Sequence, residues 1–404
     1  MAVEIPRWDI AFASAPSSDS LRSGVVTASL MEAMLIGSGW HPSLFRAEMS
    51  ALCRSRPWRL GPRTLIIESD DELLERLSRS ASVDECLSPF GLTSEADSLE
   101  VALAAWLSDS PFGAPAGRSI AVRWSKRGGG VDGASGKRLA HTCGGNLSDQ
   151  GWMIDLDDPD EELLICLDGT SGHVIWGRRA LRELPRAGWT DRVPTERPFF
   201  RPVSLDPRLA RLALNLVDIG EAEPLCDPMS GTGGVVMEGC MLGIPMLGVD
   251  LDEEMVEGAR ANLDWLDESG ESESEAILLH GDATDLKALL ESEGMRVSGF
   301  VFDPPYGRNA WKSDDAWTLF TDVLASCRCS PGISAGSELA CFLPWPPGLH
   351  GIDEAVTDSL GDVHGRPWTS VADAFESSGW RILSRHAVPV HGSLARLLVH
   401  AQAF

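Results

Sequence analysis

Residues 225–234 read LCDPMSGTGG, and this stretch points to the fold of the second half of the chain. A short apolar run directly precedes Asp227, glycines follow at positions 231, 233 and 234, and a helical pattern covers 233–242. Glycines at a strand-to-helix turn let a ligand approach the backbone, and the start of the helix offers unpaired N–H groups to an anion. Taken alone, the glycine pattern is weak evidence, because a plain turn between a strand and a helix explains it equally well.

The next apolar run supplies a second feature of this candidate site. Asp250 closes that run and lies 19 residues after Gly231. At this spacing a carboxylate usually binds the hydroxyl pair of a nucleotide ribose. The dinucleotide pattern Gly-x-Gly-x-x-Gly is incomplete, because its last glycine is replaced by Val236. The sequence therefore disfavours a nicotinamide dinucleotide and favours a ligand with one ribose and no pyrophosphate.

Short apolar runs and helical patterns alternate along this half of the chain. The apolar runs cover 224–226, 246–249, 276–280, 299–302 and 339–343, and the helical patterns cover 233–242, 253–266, 285–293, 314–326 and 371–377. Two long strand-like runs, 381–390 and 394–403, are separated by only three residues. Alternation at this spacing is typical of a parallel sheet, whereas so short a connection forces an antiparallel hairpin. We predict an α/β fold with a seven-stranded, mostly parallel sheet that ends in a C-terminal antiparallel hairpin.

Residues 303–307 read DPPYG and follow the fourth apolar run, where open α/β sheets bind their ligands. The two prolines fix the backbone and remove two N–H groups, which leaves carbonyl groups to face a ligand. Asp303 adds an anionic acceptor, and Tyr306 adds a flat face on which a base stacks. The Asp303 carboxylate and the Pro304 carbonyl would each accept a hydrogen bond from one hydrogen of a nucleobase amine. These two hydrogen bonds would favour a pyramidal nitrogen, which is the form that acts as a nucleophile. We predict that Asp303, Pro304, Pro305 and Tyr306 form the catalytic segment; a rigid turn after a strand is the structural alternative.

Residues 280–283 read HGDA and end the third apolar run. Asp282 would there accept a hydrogen bond from an adenine amine at the carboxyl edge of the sheet. A helix N-cap is an equally supported role, since a helical pattern begins directly after Asp282. Both roles are compatible with each other.

These motifs resemble those of a known family. Residues 225–307 resemble the S-adenosylmethionine-dependent amino-methyltransferases, whose fourth motif is Asp/Asn-Pro-Pro-Tyr/Phe. The closer resemblance is to the archaeal tRNA guanine-N2-methyltransferases that modify position 10. Their motifs D-P-x-x-G-T-G, D-P-P-Y-G-R, Pro-Phe-Phe-x-Pro and V-H-x-S-L-x-R are matched by residues 227–233, 303–308, 198–202 and 390–396.

The resemblance implies a Rossmann-like methyltransferase domain, S-adenosylmethionine as cofactor and tRNA as partner. In some relatives a small zinc-binding activator subunit also takes part. The residues that the resemblance and the spacing assign to the cofactor lie in the first three loops of the sheet: Asp227, Met229, Ser230, Gly231, Thr232, Gly233, Asp250, Leu251, Asp282 and Ala283. No metal ligand is expected.

The first half of the chain is less regular and predicts α+β structure. We expect strands at 8–13, 63–67, 119–124, 151–155, 163–167 and 173–176, helices at 24–37, 71–78 and 98–107, and a glycine-rich loop over 126–141. Four prolines between 184 and 206 suggest a linker. With the resemblance, the expected division is a ferredoxin-like part at 1–95, a THUMP-like RNA-binding domain at 96–183, the linker at 184–206 and the methyltransferase domain at 207–404.

The charge distribution is compatible with an RNA partner. The net charge of −26 excludes a uniformly basic nucleic-acid-coating protein, but residues 178–211 hold nine arginines against four acids, a local net charge of +5. A solvated charged linker is the alternative interpretation. The residues expected to contact RNA phosphates are Lys126, Arg127, Lys137, Arg138, Arg178, Arg179, Arg201 and Arg308.

The cellular environment is predicted from the cysteines and from the chain start. The nine cysteines are scattered, and the N-terminus lacks the basic and apolar regions of a secretory signal. Both features favour reduced thiols in the cytoplasm. The longest apolar stretch is too short to span a bilayer, so no membrane association is expected.

We predict methyl transfer to N2 of guanosine 10 in tRNA, giving the monomethyl or the dimethyl product. The same chemistry on guanosine 6 of tRNA, on ribosomal RNA or on a DNA amine stays open. A tRNA-binding scaffold without catalysis is the alternative from another class. The intact Asp227, Asp250 and 303–306 argue against it.

Overall fold

The computed structural model describes residues 25–27, 32–37, 41–53, 55–180, 189–202, 204–217, 223–305, 314–345, 362–363, 366–391 and 394–404. The chain forms two compact units that meet in sequence between residues 184 and 185, and the short segment Arg79–Ala81 is grouped with the second unit. The expected strand at 8–13 lies outside the described residues.

The first unit is built around one sheet. Its strands are β1 (Val25–Thr27), β2 (Glu32–Gly37), β3 (Trp58–Gly61), β4 (Thr64–Glu68), β5 (Val83–Thr93), β6 (Ser119–Arg127), β7 (Met153–Ile154), β8 (Glu161–Asp168) and β9 (His173–Arg179). Its helices are α1 (Pro42–Leu52), α2 (Leu73–Ser78), α3 (Leu99–Ser108) and α4 (Gly136–Asp149). The strand order is β3-β4-β2-β5-β9-β8-β6-β7, and β1 pairs with β5. The finer division at residues 95 and 96 stays a prediction.

Two expectations for this unit are wrong. The expected helix at 24–37 is replaced by β1 and β2, because β2 is a central strand whose residues Ala33–Ile36 are fully buried. Periodicity does not separate a short buried strand from a buried helix. The expected loop at 126–141 ends early, because α4 begins at Gly136, where the Ser135 side chain accepts a hydrogen bond from the Arg138 N–H.

The second unit contains the glycine motif and the DPPYG motif. Its strands are β10 (Leu225–Asp227), β11 (Met246–Asp250), β12 (Ala276–His280), β13 (Gly299–Phe302), β14 (Glu338–Trp345), β15 (Asp362–Val363), β16 (Arg366–Pro367), β17 (Trp380–His391) and β18 (Leu394–Ala403). Its helices are α5 (Pro207–Leu216), α6 (Gly234–Met241), α7 (Glu253–Ser269), α8 (Leu286–Glu293), α9 (Asp314–Cys329) and α10 (Trp368–Ser377).

Seven of these strands form one sheet in the order β12-β11-β10-β13-β14-β18-β17. The first five are parallel, β18 is antiparallel to β14, and β17 is antiparallel to β18. The predicted α/β fold, with its mostly parallel sheet and terminal hairpin, is therefore confirmed. The strand order reverses at β10, which lies between β11 and β13, and ligands of open α/β sheets bind at such a switch point.

The strands at and next to the switch point are buried. All residues of β10, β13 and β14 are buried, as expected for strands covered by helices on both faces. The residues that follow the carboxyl ends of these strands are therefore attached to a closely packed core. None of the helices in the described ranges is both long and apolar enough to cross a lipid bilayer.

Candidate active site at the carboxyl edge of the sheet

The turn between β10 and α6 is held by backbone and side-chain hydrogen bonds. The Met229 N–H donates to Asp227 Oδ1 (3.1 Å), and the Ser230 N–H donates to the Val249 carbonyl of β11 (2.8 Å). Gly233 takes a φ of +79° as it enters α6, and a Cβ there would lie 3.1 Å from the Ala259 Cβ. Glycine meets both demands, because it has no Cβ and adopts positive φ readily.

Asp250 ends β11 directly beside this turn. Its Oδ2 accepts a hydrogen bond from the Gly231 N–H (2.8 Å), and its Oδ1 accepts one from the Asp252 N–H (2.9 Å). The next side chain, Leu251, is 68% exposed, and its carbonyl lies 2.9 Å from His280 Nε2 at the end of β12. The structure thus brings Asp250 to the glycine turn, while its contact with a ribose stays a prediction.

Asp282 is a helix cap in this structure. Its Oδ1 accepts hydrogen bonds from the Thr284 N–H (2.9 Å) and the Thr284 hydroxyl (2.8 Å) at the start of the short 3-10 helix Ala283–Asp285. The N-cap interpretation is confirmed, while the contact with adenine stays a prediction. Ala283 is buried beneath the same turn.

The DPPYG segment begins at the end of β13, next to β10. Asp303 Oδ2 forms an ion pair with Arg396 Nη2 (2.8 Å), and both side chains are largely buried. Pro304 is buried and Pro305 is exposed, whereas Tyr306 and Arg308 lie outside the described residues. An apolar pocket opens beside the two prolines and is lined by Met229, Phe302, Pro304, Pro305, Ala316, Leu319, Phe320 and Val323.

The carboxyl group of Asp227 is affected by the two carboxyl groups that lie nearby on other strands. The pKa of Asp227 is raised well above its ordinary value, chiefly because the side chain is buried, and the charges of Asp250 and Asp303 raise it further. The hydrogen bond from Met229 acts in the opposite direction. Three carboxyl groups thus bring hydrogen-bond acceptors to one edge of the sheet, which suits a cationic ligand or the hydrogens of an amine.

A segment that precedes the sheet in sequence is tied to the glycine turn. The Asn262 side chain on α7 is fully buried; its Oδ1 accepts from the Phe199 N–H (2.9 Å), and its Nδ2 donates to the carbonyls of Phe199 (2.8 Å) and Thr232 (2.9 Å). The Ser204 hydroxyl lies 3.0 Å from the Thr232 hydroxyl. Residues 198–202, singled out only by family resemblance, thus lie at the predicted cofactor loop.

Sequence reasoning gave no role to two residues of this site. Asn262 is an amide within an ordinary helical pattern, so nothing in the sequence distinguishes it. Arg396 is the last residue of the V-H-x-S-L-x-R match, but its partner Asp303 is 93 residues away. Only the sheet order brings the two together.

The residues at this edge fit S-adenosylmethionine. The Ser230 hydroxyl is buried and has no hydrogen-bond partner within the described part of the chain, so it has capacity for a polar ligand. The space next to Gly231 is open, since a Cβ added there would meet nothing within 4 Å. Acidic groups at the turn suit the cationic sulfonium and amino groups, and Asp250 suits the ribose hydroxyls.

Most residues predicted to contact RNA form ion pairs with acidic neighbours. Arg178 contacts both oxygens of Glu161, and Arg179 bridges Glu85 and Glu162. The further pairs are Arg127 with Asp84, Arg138 with Glu100, and Arg201 with Glu254. Lys126 and Lys137 are exposed. The role of all these residues in RNA binding stays a prediction.

Comparison with known proteins identifies the family. Residues 194–330 match the family described as RMKL-like, methyltransferase domain. A tRNA (guanine(10)-N2)-dimethyltransferase of Pyrococcus abyssi is 27% identical over 260 residues, which cover 64% of this chain and 67% of that protein. The enzyme of the same name from Methanothermobacter thermautotrophicus is 33% identical over 220 residues, 53% of this chain and 61% of that protein. The match therefore spans about two thirds of the length of these relatives.

Two further similarities concern the family and the fold. A probable tRNA (guanine(10)-N2)-dimethyltransferase of Methanothermococcus thermolithotrophicus is 35% identical over 117 residues, 29% of this chain and 70% of that protein. The crystal structure of TrmN from Thermus thermophilus superposes with a TM-score of 0.51 at 18% identity and covers 92% of this chain and 100% of that one. At this identity the structural likeness shows the fold alone.

The fold and the site define a Rossmann-like, S-adenosylmethionine-dependent methyltransferase. The glycine turn, Asp250 and the Asp-Pro-Pro segment lie together at the carboxyl edge of the sheet, where open α/β sheets bind their ligands. Within the class, the chain belongs to the archaeal tRNA guanine-N2-methyltransferase family.

Proposed function

We propose that this protein transfers a methyl group from S-adenosylmethionine to the N2 amine of guanosine 10 in tRNA. The observation that carries the proposal is the position of Asp303 and Pro304. They follow β13, whose neighbour β10 leads into the glycine turn, and Asp250 ends β11 on the far side of β10 and accepts from that turn. One edge of the sheet thus offers acceptors for an amine next to a fitting cofactor cradle. The names of the relatives support guanosine 10 as the target.

The cofactor would be held by the first three loops of the sheet. Asp250 would accept hydrogen bonds from the ribose hydroxyls, Asp282 and Ala283 would lie near the adenine, and the turn at 227–233 would hold the methionine part. When bound, S-adenosylmethionine supplies an electrophilic methyl group on a sulfonium. Exclusion of water by the apolar lining around Met229 and Pro304 would strengthen these polar contacts.

The chain's own contribution to catalysis is to hold and polarise the amine. The Asp303 carboxylate and the Pro304 carbonyl would accept hydrogen bonds from its two hydrogens and stabilise the positive charge that develops on nitrogen. The nitrogen–methyl bond forms as the sulfur–methyl bond breaks, the sulfur leaves as a neutral thioether, and the methylated amine releases one proton to solvent. Tyr306 stacks on the flipped base, and Pro305 keeps the segment rigid. Correct placement of the two reactants contributes up to about 7–11 kcal/mol to lowering the barrier.

The target base must leave its stack, which costs a few kcal/mol in a paired region. We assign tRNA binding to the first half of the chain, with a ferredoxin-like part at 1–95, a THUMP-like domain at 96–183 and a linker at 184–206. The exposed Lys126 and Lys137 would contact phosphates. A cytoplasmic location and a small zinc-binding activator subunit complete the proposal.

The decisive test is incubation of the purified protein with labelled S-adenosylmethionine and an unmodified tRNA transcript, followed by nucleoside mass spectrometry. We expect N2-methylguanosine or its dimethyl form, and its loss when guanosine 10 is replaced. Label that survives this replacement would move the target to guanosine 6 or another guanosine.

Absence of label is interpreted with two controls. Ribosomal RNA and DNA are offered as alternative substrates, and a zinc-binding activator is added to the tRNA reaction. Cofactor binding without turnover under all of these conditions would contradict the proposal and support a tRNA-binding scaffold.

A further inference from the structure

Arg396 connects the terminal hairpin to the proposed catalytic segment. It lies on β18, opposite Pro344 of β14 and Val388 of β17. β18 is not a neighbour of β13, since β14 lies between them. The guanidinium nevertheless reaches Asp303, with 2.8 Å between Arg396 Nη2 and Asp303 Oδ2, and only 5% of the Arg396 side chain is exposed.

Asp303 lies in surroundings that oppose its negative charge. Its own side chain is largely buried, and the carboxyl groups of Asp227 on β10 and Asp250 on β11 belong to the same cluster. On β14, the pKa of the Cys341 thiol is raised, mainly by burial and additionally by the charge of Asp303. Burial and neighbouring carboxylates both favour the protonated acid. A cation in direct contact counteracts this effect.

Protonation of Asp303 would matter for the proposed chemistry. An ionised carboxylate only accepts hydrogen bonds, whereas a protonated one presents a donor as well. A donor facing an amine would not polarise its N–H bonds. The bond from Arg396 to Oδ2 also restricts rotation of the carboxylate about its Cβ–Cγ bond, because guanidinium donors have a fixed planar geometry.

We propose that Arg396 is a positioning residue for methyl transfer: it keeps Asp303 ionised and fixes the plane of its carboxylate towards the target amine. The inference rests on the proposed function of Asp303. In this proposal the Arg396–Asp303 ion pair acts in catalysis and does not only stabilise the fold. Removing one partner of a buried ion pair leaves the other charge uncompensated and is destabilising, so the thermal unfolding of each variant is measured before its kinetics are compared.

The test compares Arg396→Met, Arg396→Lys and Arg385→Met with the wild-type chain in steady-state methylation of the tRNA transcript. We expect Arg396→Met to lower kcat by about 100-fold, as for loss of one preorganised electrostatic contact. The KM for tRNA and the Kd for S-adenosylmethionine, measured by calorimetry, are expected to change less than about threefold, because Arg396 contacts neither ligand in the proposal.

The two other variants separate positioning from folding. Arg396→Lys keeps a cation and should recover part of kcat. Arg385 is a matched control, since it is also a buried arginine of the hairpin but lies over the Trp368 ring, 4.1 Å from its centroid. We expect Arg385→Met to retain the wild-type kcat. Wild-type kcat in Arg396→Met, or equal losses in Arg396→Met and Arg385→Met, would overturn the inference.

A second measurement does not depend on the RNA substrate. In a double-mutant cycle of thermal unfolding, Arg396→Met and Asp303→Asn should each lower Tm, and the double variant should fall no further than the more damaged single variant. Additive losses would overturn the pairing. If the wild-type protein methylates no RNA while the cycle is non-additive, the proposed function fails and the Arg396–Asp303 coupling stands.

Discussion

At the scale of single residues, the site depends on how carboxylates are held close together at one edge of a sheet. Asp227, Asp250 and Asp303 end three neighbouring strands, and each is fixed by a different partner: a backbone N–H, two backbone N–H groups and an arginine. The three aspartates therefore have different electrostatic environments, and substitutions can test the role of each aspartate separately.

Asp303→Ala is expected to abolish methyl transfer while cofactor binding survives. The substitution removes the acceptor proposed for the amine but leaves the glycine turn and Asp250 in place. A fall in kcat of at least about 100-fold, with the Kd for S-adenosylmethionine within about threefold of wild type, is the expected result of tRNA assays and calorimetry. Activity near the wild-type level would rule out the proposed role of this carboxylate.

Asp227→Asn is expected to stabilise the cofactor-free protein at neutral pH. A carboxyl with a raised pKa in the folded state binds its proton more tightly there than in the unfolded chain. The free energy of unfolding therefore falls as the pH rises above the unfolded pKa of about 4. Asparagine cannot ionise, so the variant does not lose this stability as the pH rises. The Tm of Asp227→Asn should therefore exceed that of the wild type by a large amount at pH 7 and by a small amount at about pH 4.

Thermal unfolding across this pH range measures the effect, and Asp264→Asn is the control. Asp264 is exposed on α7, so its substitution should change Tm little at either pH. An equal gain for Asp227→Asn at both pH values would show that its ionisation does not penalise the fold.

At the scale of elements, α7 fastens residues 198–202 to the glycine turn. Asn262 makes the three hydrogen bonds of this connection at full burial, and Gly258 leaves the helix surface open for the Phe199 ring, where an added Cβ would lie 2.1 Å from a ring carbon. The Thr232 carbonyl belongs to the turn itself. Cofactor affinity should therefore depend on this helix.

Asn262→Ala is expected to lower both Tm and cofactor affinity. It leaves buried backbone groups without their partner, at about 1–3 kcal/mol for each group that stays unsatisfied. Calorimetry should show a weaker Kd for S-adenosylmethionine, whereas Asp264→Ala on the exposed side of the same helix should bind normally. Unchanged affinity in Asn262→Ala would show that the turn keeps its shape without this connection.

At the scale of the whole molecule, an acidic chain must bind a polyanion. The net charge of −26 opposes tRNA at long range, and two of the arginines expected to contact RNA, Arg178 and Arg179, are neutralised by Glu85, Glu161 and Glu162. Exposed lysines of the first unit are better placed to contact phosphates than these arginines. The ion pairs instead connect β5, β8 and β9.

Two double variants separate RNA binding from stability. Lys126→Ala with Lys137→Ala should weaken tRNA binding and lower its salt dependence by a slope of roughly 1–2, because up to two phosphate contacts are lost. Arg178→Ala with Arg179→Ala should also weaken binding, and in addition it should lower Tm, since the buried Glu85 and Glu162 lose their ion pairs with Arg179. Binding across a salt series and thermal unfolding measure both effects. An unchanged salt slope in both variants would move the RNA surface elsewhere.

The sequence by itself determined the parallel sheet, the hairpin and the chemical character of the site. Local signals sufficed, because the strands, helices and turns of the second half follow one another at short spacing. The glycine turn and the DPPYG segment are each at most ten residues long, so each can be recognised from adjacent residues. The first half was harder. The continuous apolar run of β2 has no period that separates a strand from a helix, so its strand appears only when β4 and β5 pair with it.

Only the tertiary structure decided which distant residues meet at the site. Arg396 reaches Asp303 because the hairpin adds β18 next to β14, and Asn262 joins residues 198–202 to Thr232 because α7 packs beside the turn. The structure also decided that the arginines of β9 face glutamates. Such contacts depend on strand order and helix packing, and these are set by burial of the whole sheet rather than by any local pattern.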